Sequence, residues 1–565
     1  MPDTLGETYT QILTQNKEHR RDAIRILQFL TFSDQPLTVG EMVDAIVVEP
    51  GGKIPFDSEL RLTIPEEVAD ICPSLVSIVA KRDKQTVQIA HLSVQEYLTS
   101  DGIPVEYRES FRKLNALATL TQVCLAYLSQ LDDMISVYEV DIKYPFARYA
   151  ARKWMEFARH SEERSDVHSA VVQFLRSPQS YWTWRRLFNP EAPWANEAPL
   201  IAGASDLADP TAVALYDASL GGLWRTARAL SSKGQHVDIE DRTYGSALQA
   251  ASSRGHVKVA EVLLDDGADV DPPATGVYGC PLHAAAAEGH AELVNVLIQR
   301  GAPIDRQIQG YGSALQAASA AGHTKVVSVL LHQGATVNFV GGRYGTALQA
   351  ACSEGHVKVV ETLLEAGGDV NCSGKIFHTI LERSSSGSRP GRDVPWNHLG
   401  IYRGPAVDGG PLRSTALQAA CFRGHKRIVE ILLAHGADIH ASGGEYGDAY
   451  EAAINQGHDD ILELLLEQGS ARRNPDTNDH AAFRHRKPER PYRYYPEAQM
   501  RPDIYPQGST SLPYWQSPYA MSGANVRGRA REPPGLPGMG AYCLLNNPTY
   551  WPANPSDTVH FAKPI

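Results

Sequence analysis

In the stretch "TALQAACSEGHVKVVETLLEAGGDVN", residues 346–371, small apolar residues crowd the first half and larger ones recur through the second at helical spacing. The first ten positions predict a short helix whose small side chains let a neighbour come close. Gly355 supplies the left-handed turn that ends it. Val359, Val360, Leu363 and Leu364 then fall on one apolar stripe, predicting a second helix that Gly367 closes. The final "GDVN" leads into an extended finger. A two-helix unit of this size cannot bury its stripe alone, so it needs a like neighbour on each side.

Those neighbours are written along the chain. Gly-His falls at 255–256, 289–290, 322–323, 355–356, 424–425 and 457–458, in steps of 34, 33, 33, 69 and 33 residues. A fixed period of this length marks a stacked solenoid. The one long step places an insertion at 373–412, rich in Ser, Gly and Arg and expected to loop out. A degenerate copy, "LYDASLGGLWRTARALSSKGQHVD", lies one step upstream, with Leu223 and Trp224 where His and Val are usual. It is expected to be the N-terminal cap. "DAYEAAINQGHDDILELLLEQGS", with Glu463 and Glu467, is expected to close the array, making seven copies over 212–472. The copy "CPLHAAAAEGHAELVNVLIQRGAPID" comes near the T-P-L-H-x-A phrase of ankyrin repeats; others read "GSALQAA" or "GTALQAA" there. This part of the chain therefore resembles an ankyrin-repeat array, which implies an α-solenoid in a mainly α protein.

Before the array the pattern changes. Residues 22–100 open with "RRDAIRILQFLTFS", which places Ile24, Leu27 and Leu30 on one helix side. Thr38 with Glu41 and Thr63 with Glu66 read as capping boxes that open further helices, and Ser93 with Glu96 as the cap of a last one. "SLVSIVAKRDKQTVQIAH" alternates apolar and polar about a charged turn, the pattern of a hairpin. Three helices and a two-stranded wing predict a winged-helix module. Such modules often bind DNA, but Glu66, Glu67 and Asp70 on the helix that would enter the groove repel phosphate. Lys81, Arg82 and Lys84 at the wing tip read as solvated, so no nucleic-acid partner is expected. Residues 101–211 continue as a helical linker domain. There "SYWTWRRLFNP" sets Trp182 and Trp184 beside Arg185 and Arg186, read as packing against the first repeats.

The phrases "LGETYTQIL", "RILQFLTFSDQPLTVGEMVDAI", "IAHLSVQEYL" and "YPFARYAARKW" stand in this order over residues 3–160. Together they are similar to the stretch that follows the nucleotide-binding NACHT module in fungal NLR-like proteins. The resemblance implies a remnant helix of the NACHT-like C-terminus at 1–21. It also implies a winged helix and helical segment that join an NTPase to ankyrin repeats. No G-x-x-x-x-G-K-[S/T] occurs, so the NTPase module itself is missing from this sequence. Winged helices of this kind are sometimes named for a lipid-anchor deacylase; without a nucleophile motif the name implies no activity here.

At 565 residues the chain is too long for one core. Its net charge of −12 divides unevenly: residues 471–565 carry 12 Lys and Arg against 7 Asp and Glu, leaving −17 for residues 1–470. That acidity excludes a general attraction to nucleic acid or anionic membrane. The tail also holds 15 of the 36 prolines and 8 of the 24 tyrosines without apolar periodicity, predicting disorder over 473–565. Seven cysteines with no C-x-x-C pair make neither a zinc cluster nor a disulfide framework. Reduced thiols point to the cytoplasm, with the nucleus as the alternative. The opening "MPDTLGETYTQIL" lacks the basic start and apolar run of a signal peptide. "LNALATLTQVCLAYLSQL" is too often interrupted by polar residues to span a bilayer, and no membrane partner is expected.

Motifs of chemistry are sparse. There is no G-x-S-x-G elbow, no H-E-x-x-H, no dinucleotide G-x-G-x-x-G after a strand and no kinase signature set. "SGK" at 373–375 lacks the glycine five positions before Gly374 and has Ile376 where Ser or Thr would hold magnesium. The six repeat histidines should stand about 8–10 Å apart along a ladder. That is too far to share a metal bound at ~2 Å, so they read as bonded to nearby backbone. Cys352 and Cys421 read as small buried thiols. No catalytic residue, cofactor or metal site is expected. The expected role is a non-enzymatic protein-binding scaffold in an NLR-like signalling or self/non-self recognition assembly. The alternatives are the regulatory half of an NTPase whose NACHT module is absent from this chain, and a nuclear winged-helix/ankyrin regulator. By the ankyrin resemblance, fingers and first helices line the concave face, where an unidentified protein ligand is expected. The first-helix column there is Gln249, His283, Gln316, Gln349 and Gln418, ending in Glu451, with Arg254, Glu288, Glu354, Arg423 and Gln456 at the turn into the second helix. Arg306, Phe339 and Arg343 on the fingers are the expected anchors, because Arg and aromatic side chains dominate interface hot spots.

Overall fold

The computed structural model describes residues 5–15, 19–52, 55–81, 84–131, 137–192, 210–231, 243–308, 310–342, 344–376, 412–443 and 447–471. The interior of the insertion, the tail expected to be disordered and Arg343 lie outside them.

The winged-helix part is built from helices Arg20–Phe32 and Val39–Val47, a 3-10 turn at Pro65–Ala69, an antiparallel hairpin of Val76–Lys81 and Lys84–Ile89, and helix Leu92–Leu98. The Thr38–Glu41 capping box forms with both bonds in place. The other two expected boxes do not. Pro65 opens a turn of only five residues, and Ile64 at its N-cap has no side chain to donate or accept. A segment so short, followed by Pro73, does not nucleate an α-helix. Leu92–Leu98 starts two residues earlier than expected, capped by His91, whose ring accepts from the Ser93 amide at 3.2 Å. Leu37 and Thr38 pair with the hairpin through Val87 and Thr86, so the wing is tied to the second helix.

The helix Leu5–Gln15 lies on this module: Tyr9 bonds Ser93 at 2.7 Å and Thr10 bonds Tyr97 at 2.5 Å. On the other side the module shares its core with helices Lys113–Leu128 and Ala147–Arg159. Asp44, buried, receives Arg61 at 2.6 and 3.0 Å and the phenol of Tyr127. No helix among the described residues is long and apolar enough to cross a membrane.

Among the described residues seven helix pairs then stack: Pro210–Gly221 with Trp224–Leu230, Ala247–Ser253 with Val257–Asp265, Pro281–Ala287 with Ala291–Gln299, Ala314–Ala320 with Thr324–His332, Ala347–Glu354 with Val357–Glu365, Ala416–Arg423 with Lys426–Ala434, and Ala449–Gln456 with Asp459–Ala471. Their small residues and second-helix stripes join one continuous core, in which Val359, Val360 and Leu363 are buried. The fifth and sixth pairs pack directly on each other. The insertion between them leaves and returns through a short antiparallel ladder, Gly374–Ile376 with Leu412–Ser414.

The first pair is not a solvent-facing cap. Residues 212–220 are all buried, because helices Ala147–Arg159, Ser165–Arg176 and Pro178–Leu187 cover its outer side. Trp184 lies in that joint, donating to the Ala151 carbonyl at 2.9 Å and meeting Trp154 edge-on. Arg185 is buried against Asp217, at 3.5 Å, and the phenol of Tyr181 donates to the same carboxylate at 2.6 Å. Burial opposes the Arg185 charge, but Asp217 and Glu191 outweigh it and hold the guanidinium protonated. Glu162, fully buried, accepts from the Arg225 and Thr226 amides at the start of the second helix of the pair.

Candidate functional site

Two sets of side chains join each repeat to the next. The first is the Gly-His dipeptide. His256, His290, His323, His356, His425 and His458 each reach back through Nε2 to a carbonyl near the end of the preceding first helix: Leu220, Ser253, Ala287, Ala320, Ser353 and Phe422, at 2.9–3.3 Å. The fifth bond, His425 to Ser353, spans the insertion. Each ring presses on the glycine of the repeat before it, and that glycine has a positive φ, as at Gly289 (85°) and Gly322 (78°). With each ring occupied in this way, the ladder is structural.

The second set is the column expected to meet a partner. Gln249, His283, Gln316, Gln349 and Gln418 are instead buried. Four of them complete a capping box with Ser246, Ser313, Thr346 and Thr415: Gln Oε1 accepts from the N-cap amide, and the hydroxyl accepts from the Gln amide. Each Gln Nε2 then donates forward to the next finger, as Gln316 does to Gly341 and Gly345 at 3.0 and 2.6 Å. His283 makes the forward tie without the box: Nε2 donates to the Gly312 carbonyl at 2.8 Å, and Nδ1 lies 3.0 Å from Cys280 Sγ, on a helix with no side-chain cap. Burial pushes its pKa down to about 4 and that of the Cys280 thiol up to about 11, so both stay neutral. Glu451, in the last copy, is exposed. The column is a set of inter-repeat ties.

The anchors fare differently. Arg306 is paired with Asp271 of the previous finger and is 20% exposed. Phe339 is half-buried, with Val340 beside it exposed. Arg343 lies outside the described residues.

The sequence reasoning passed over a row of tyrosines. Tyr244, Tyr278, Tyr311 and Tyr344 each precede the glycine of a capping turn, and the first three cover alanines of the first helices, among them Ala250, Ala284 and Ala317. The rings of Tyr244 and Tyr278 stack 6.1 Å apart, 7° from parallel, and Tyr278 and Tyr311 are 5.9 Å apart. Tyr278 donates to Glu288, and Tyr344 to Glu354 at 2.9 Å. The Arg254 guanidinium lies 5.8 Å above the Tyr244 ring. Burial first, then the nearby Glu288 carboxylate, pushes the Tyr278 phenol well up, so it remains a neutral donor. All but Tyr278 keep part of the ring in solvent. The signal was present as a Tyr-Gly dipeptide on the same ruler as Gly-His. The row is also wired to the helices before the array: Tyr216 donates to Glu191 at 2.7 Å and accepts from the Tyr244 amide at 3.2 Å.

Among the described residues no group of three His, Cys, Asp or Glu side chains is placed to hold a metal. A small cavity lined by Phe29, Leu30, Ser33, Asp34, Val87 and Ile89 holds no constellation of catalytic groups.

Comparison with known proteins agrees with this architecture. The model for ankyrin repeats matches in three copies, over residues 214–308, 282–373 and 401–479. The model for the GPI inositol-deacylase winged helix domain matches residues 10–110, which takes in most of the Leu5–Gln15 helix. The azaphilone pigments biosynthesis cluster protein L of Monascus ruber is 34% identical over 292 residues, covering 48% of this chain and 60% of that protein. The chain thus spans less than two thirds of the length of that curated relative. The crystal structure of the human ASB11 ankyrin repeat domain aligns with 24% identity and a TM-score of 0.35, over 46% of this chain and 99% of that one. The chain therefore carries ankyrin repeats, which are non-catalytic protein-interaction modules, behind a winged helix of the GPI inositol-deacylase type.

Proposed function

We propose that the chain is a non-enzymatic scaffold that takes a protein ligand on the face made by its fingers and first helices, within an NLR-like signalling assembly. The tyrosine row carries this reading. It offers rigid amphipathic rings, spaced one per repeat, two of them tipped by carboxylates at Glu288 and Glu354, the kind of surface that supplies contact area at low conformational cost. Arg306 and Phe339 stand on the fingers that lead to Tyr311 and Tyr344, and Arg343 directly precedes Tyr344 in the sequence. Ligand engagement there would be felt by the winged-helix part, because Tyr244 leads through Tyr216 and Glu191 to the buried joint. The similarity of residues 3–160 to the segment after a NACHT module supports the NLR-like setting. It equally supports the second reading, in which this chain is the regulatory half of an NTPase.

The test is a binding measurement with a partner captured by the intact chain. Replacing Arg306, Phe339 and Arg343 together by alanine should weaken that affinity at least tenfold and leave thermal unfolding nearly unchanged. Undiminished affinity in the triple variant would reject the docking face.

A further inference from the structure

Resting on that reading of the tyrosine row, we propose that the face has an occupant within the chain itself: the basic segment 484–496, "RHRKPERPYRYYP". This segment carries five cationic side chains against one acid, while residues 1–470 carry −17. Four of these cations fall on one period: Arg484, Lys487, Arg490 and Arg493 are each three residues apart, with Pro488 and Pro491 among them and Pro496 just beyond. In the polyproline II conformation that such prolines favour, three residues make one turn of about 9.3 Å, so all four cations share one edge. Cations six residues apart then lie about 19 Å apart.

The array presents the complementary spacing. Glu288 and Glu354 occupy the same position two repeats apart, about 16–20 Å at ordinary helix packing distances. Each carboxylate accepts one tyrosine hydroxyl and has further lone pairs for a cation. Between them the ring of Tyr311 is partly exposed, a face over which a guanidinium can stack. The reach suffices. Twelve residues separate Ala471 from Arg484, and the thirteen steps span up to about 43 Å when extended. Glu288 lies four repeats back from the last one, about 32–40 Å away. The tail thus acts as a built-in competitor that a partner must displace.

The experiment uses the full chain with benzoylphenylalanine in place of Val340, an exposed fingertip position. At low protein concentration, irradiation should crosslink it within one chain to residues 484–496. The crosslink should fade at high salt and be lost in Arg484→Glu/Lys487→Glu/Arg490→Glu/Arg493→Glu. A synthetic 481–497 peptide added to that charge-reversed chain should bind, and Glu288→Gln/Glu354→Gln should weaken it at least tenfold. Glutamine keeps an acceptor for Tyr278 and Tyr344, so unchanged circular dichroism and melting would confirm that folding is intact. Crosslinks only between differently isotope-labelled copies would overturn the proposal, as would crosslinks elsewhere or none. In those cases the docking face still stands if a captured partner depends on Arg306, Phe339 and Arg343, so the two ideas fail separately.

Discussion

A Cβ built on Gly289 would fall 2.7 Å from Nδ1 of His323, in the next repeat. The glycine is thus required twice, by its φ of 85° and by the ring that leans on it. Gly301, at φ 96°, closes the second helix of the same repeat and faces open space. Gly289→Ala should therefore cost about 3 kcal/mol, combining left-handed strain with overpacking. Gly301→Ala should cost about 1 kcal/mol, from the backbone alone. Urea unfolding of the two variants reads the difference, and equal losses would show that the histidine contact adds nothing.

The buried glutamines make a second prediction. Gln316→Ala removes a reciprocal helix cap, leaves the Gly341 carbonyl without its Gln316 donor and takes one of two donors from the Gly345 carbonyl, which keeps the Gly341 amide. The loss should be about 2–3 kcal/mol in the denaturant midpoint. Glu451→Ala, at an exposed position in the last copy, should lose less than about 1 kcal/mol. His283→Gln installs the side chain that four sister repeats already use, and should stay within about 1 kcal/mol of the parent at pH 7. A large loss there would mean that the contact of His283 with Cys280 itself stabilises the fold.

That same variant isolates a pH effect. His283 and His256 are held near pKa 4 by burial, and burial also depresses His290, His323 and His425. An unfolded histidine takes up its proton near pH 6.5, whereas the folded one resists until about 4. Stability is therefore whole above pH 6.5 and lost as pH falls toward 4, by on the order of 3 kcal/mol for His283. Glu162, whose carboxyl burial raises, works weakly in the opposite sense. Melting curves from pH 7 to pH 4.5 should show a shallower decline for His283→Gln than for the parent. Parallel declines would clear His283 of the effect.

What could be read in advance divides along the distance between partners. The repeat period, the turn at Gly355 and the Thr38–Glu41 box depend on residues within a few positions of one another, and each was legible. Thr63 with Glu66 and Ser93 with Glu96 have the same letters as that box, yet Pro65 and His91 redirected them. The glutamine column was visible as a repeat but misassigned to the surface. Gln316 is buried by the finger 23–29 residues ahead, and nothing near it in sequence reports this. Arg306 is likewise claimed by Asp271, 35 residues back. The covered outer side of the first repeat depends on helices that end before residue 188; the aromatic density of "SYWTWRRLFNP" marked that packing, but nothing local marks Asp217 as the partner of Arg185.

That covered joint yields the last prediction. Arg185 and Asp217 are both buried, one in helix Pro178–Leu187 and the other in the first repeat. Removing one partner of such a pair strands the other charge, at a cost of about 3–5 kcal/mol. Asp217→Ala should therefore destabilise the chain by that amount, since Tyr181 loses its acceptor as well. Arg185→Met with Asp217→Leu, which removes both charges and keeps the bulk, should recover much of the loss. The informative reading is where the loosening occurs. Hydrogen exchange in Asp217→Ala should rise together in 147–187 and 210–231 and leave 314–365 protected, because repeats depend mainly on their nearest neighbours. Exchange that rose only in the first repeat would show that the preceding helices hold together without it, and the two parts would then be separate bodies.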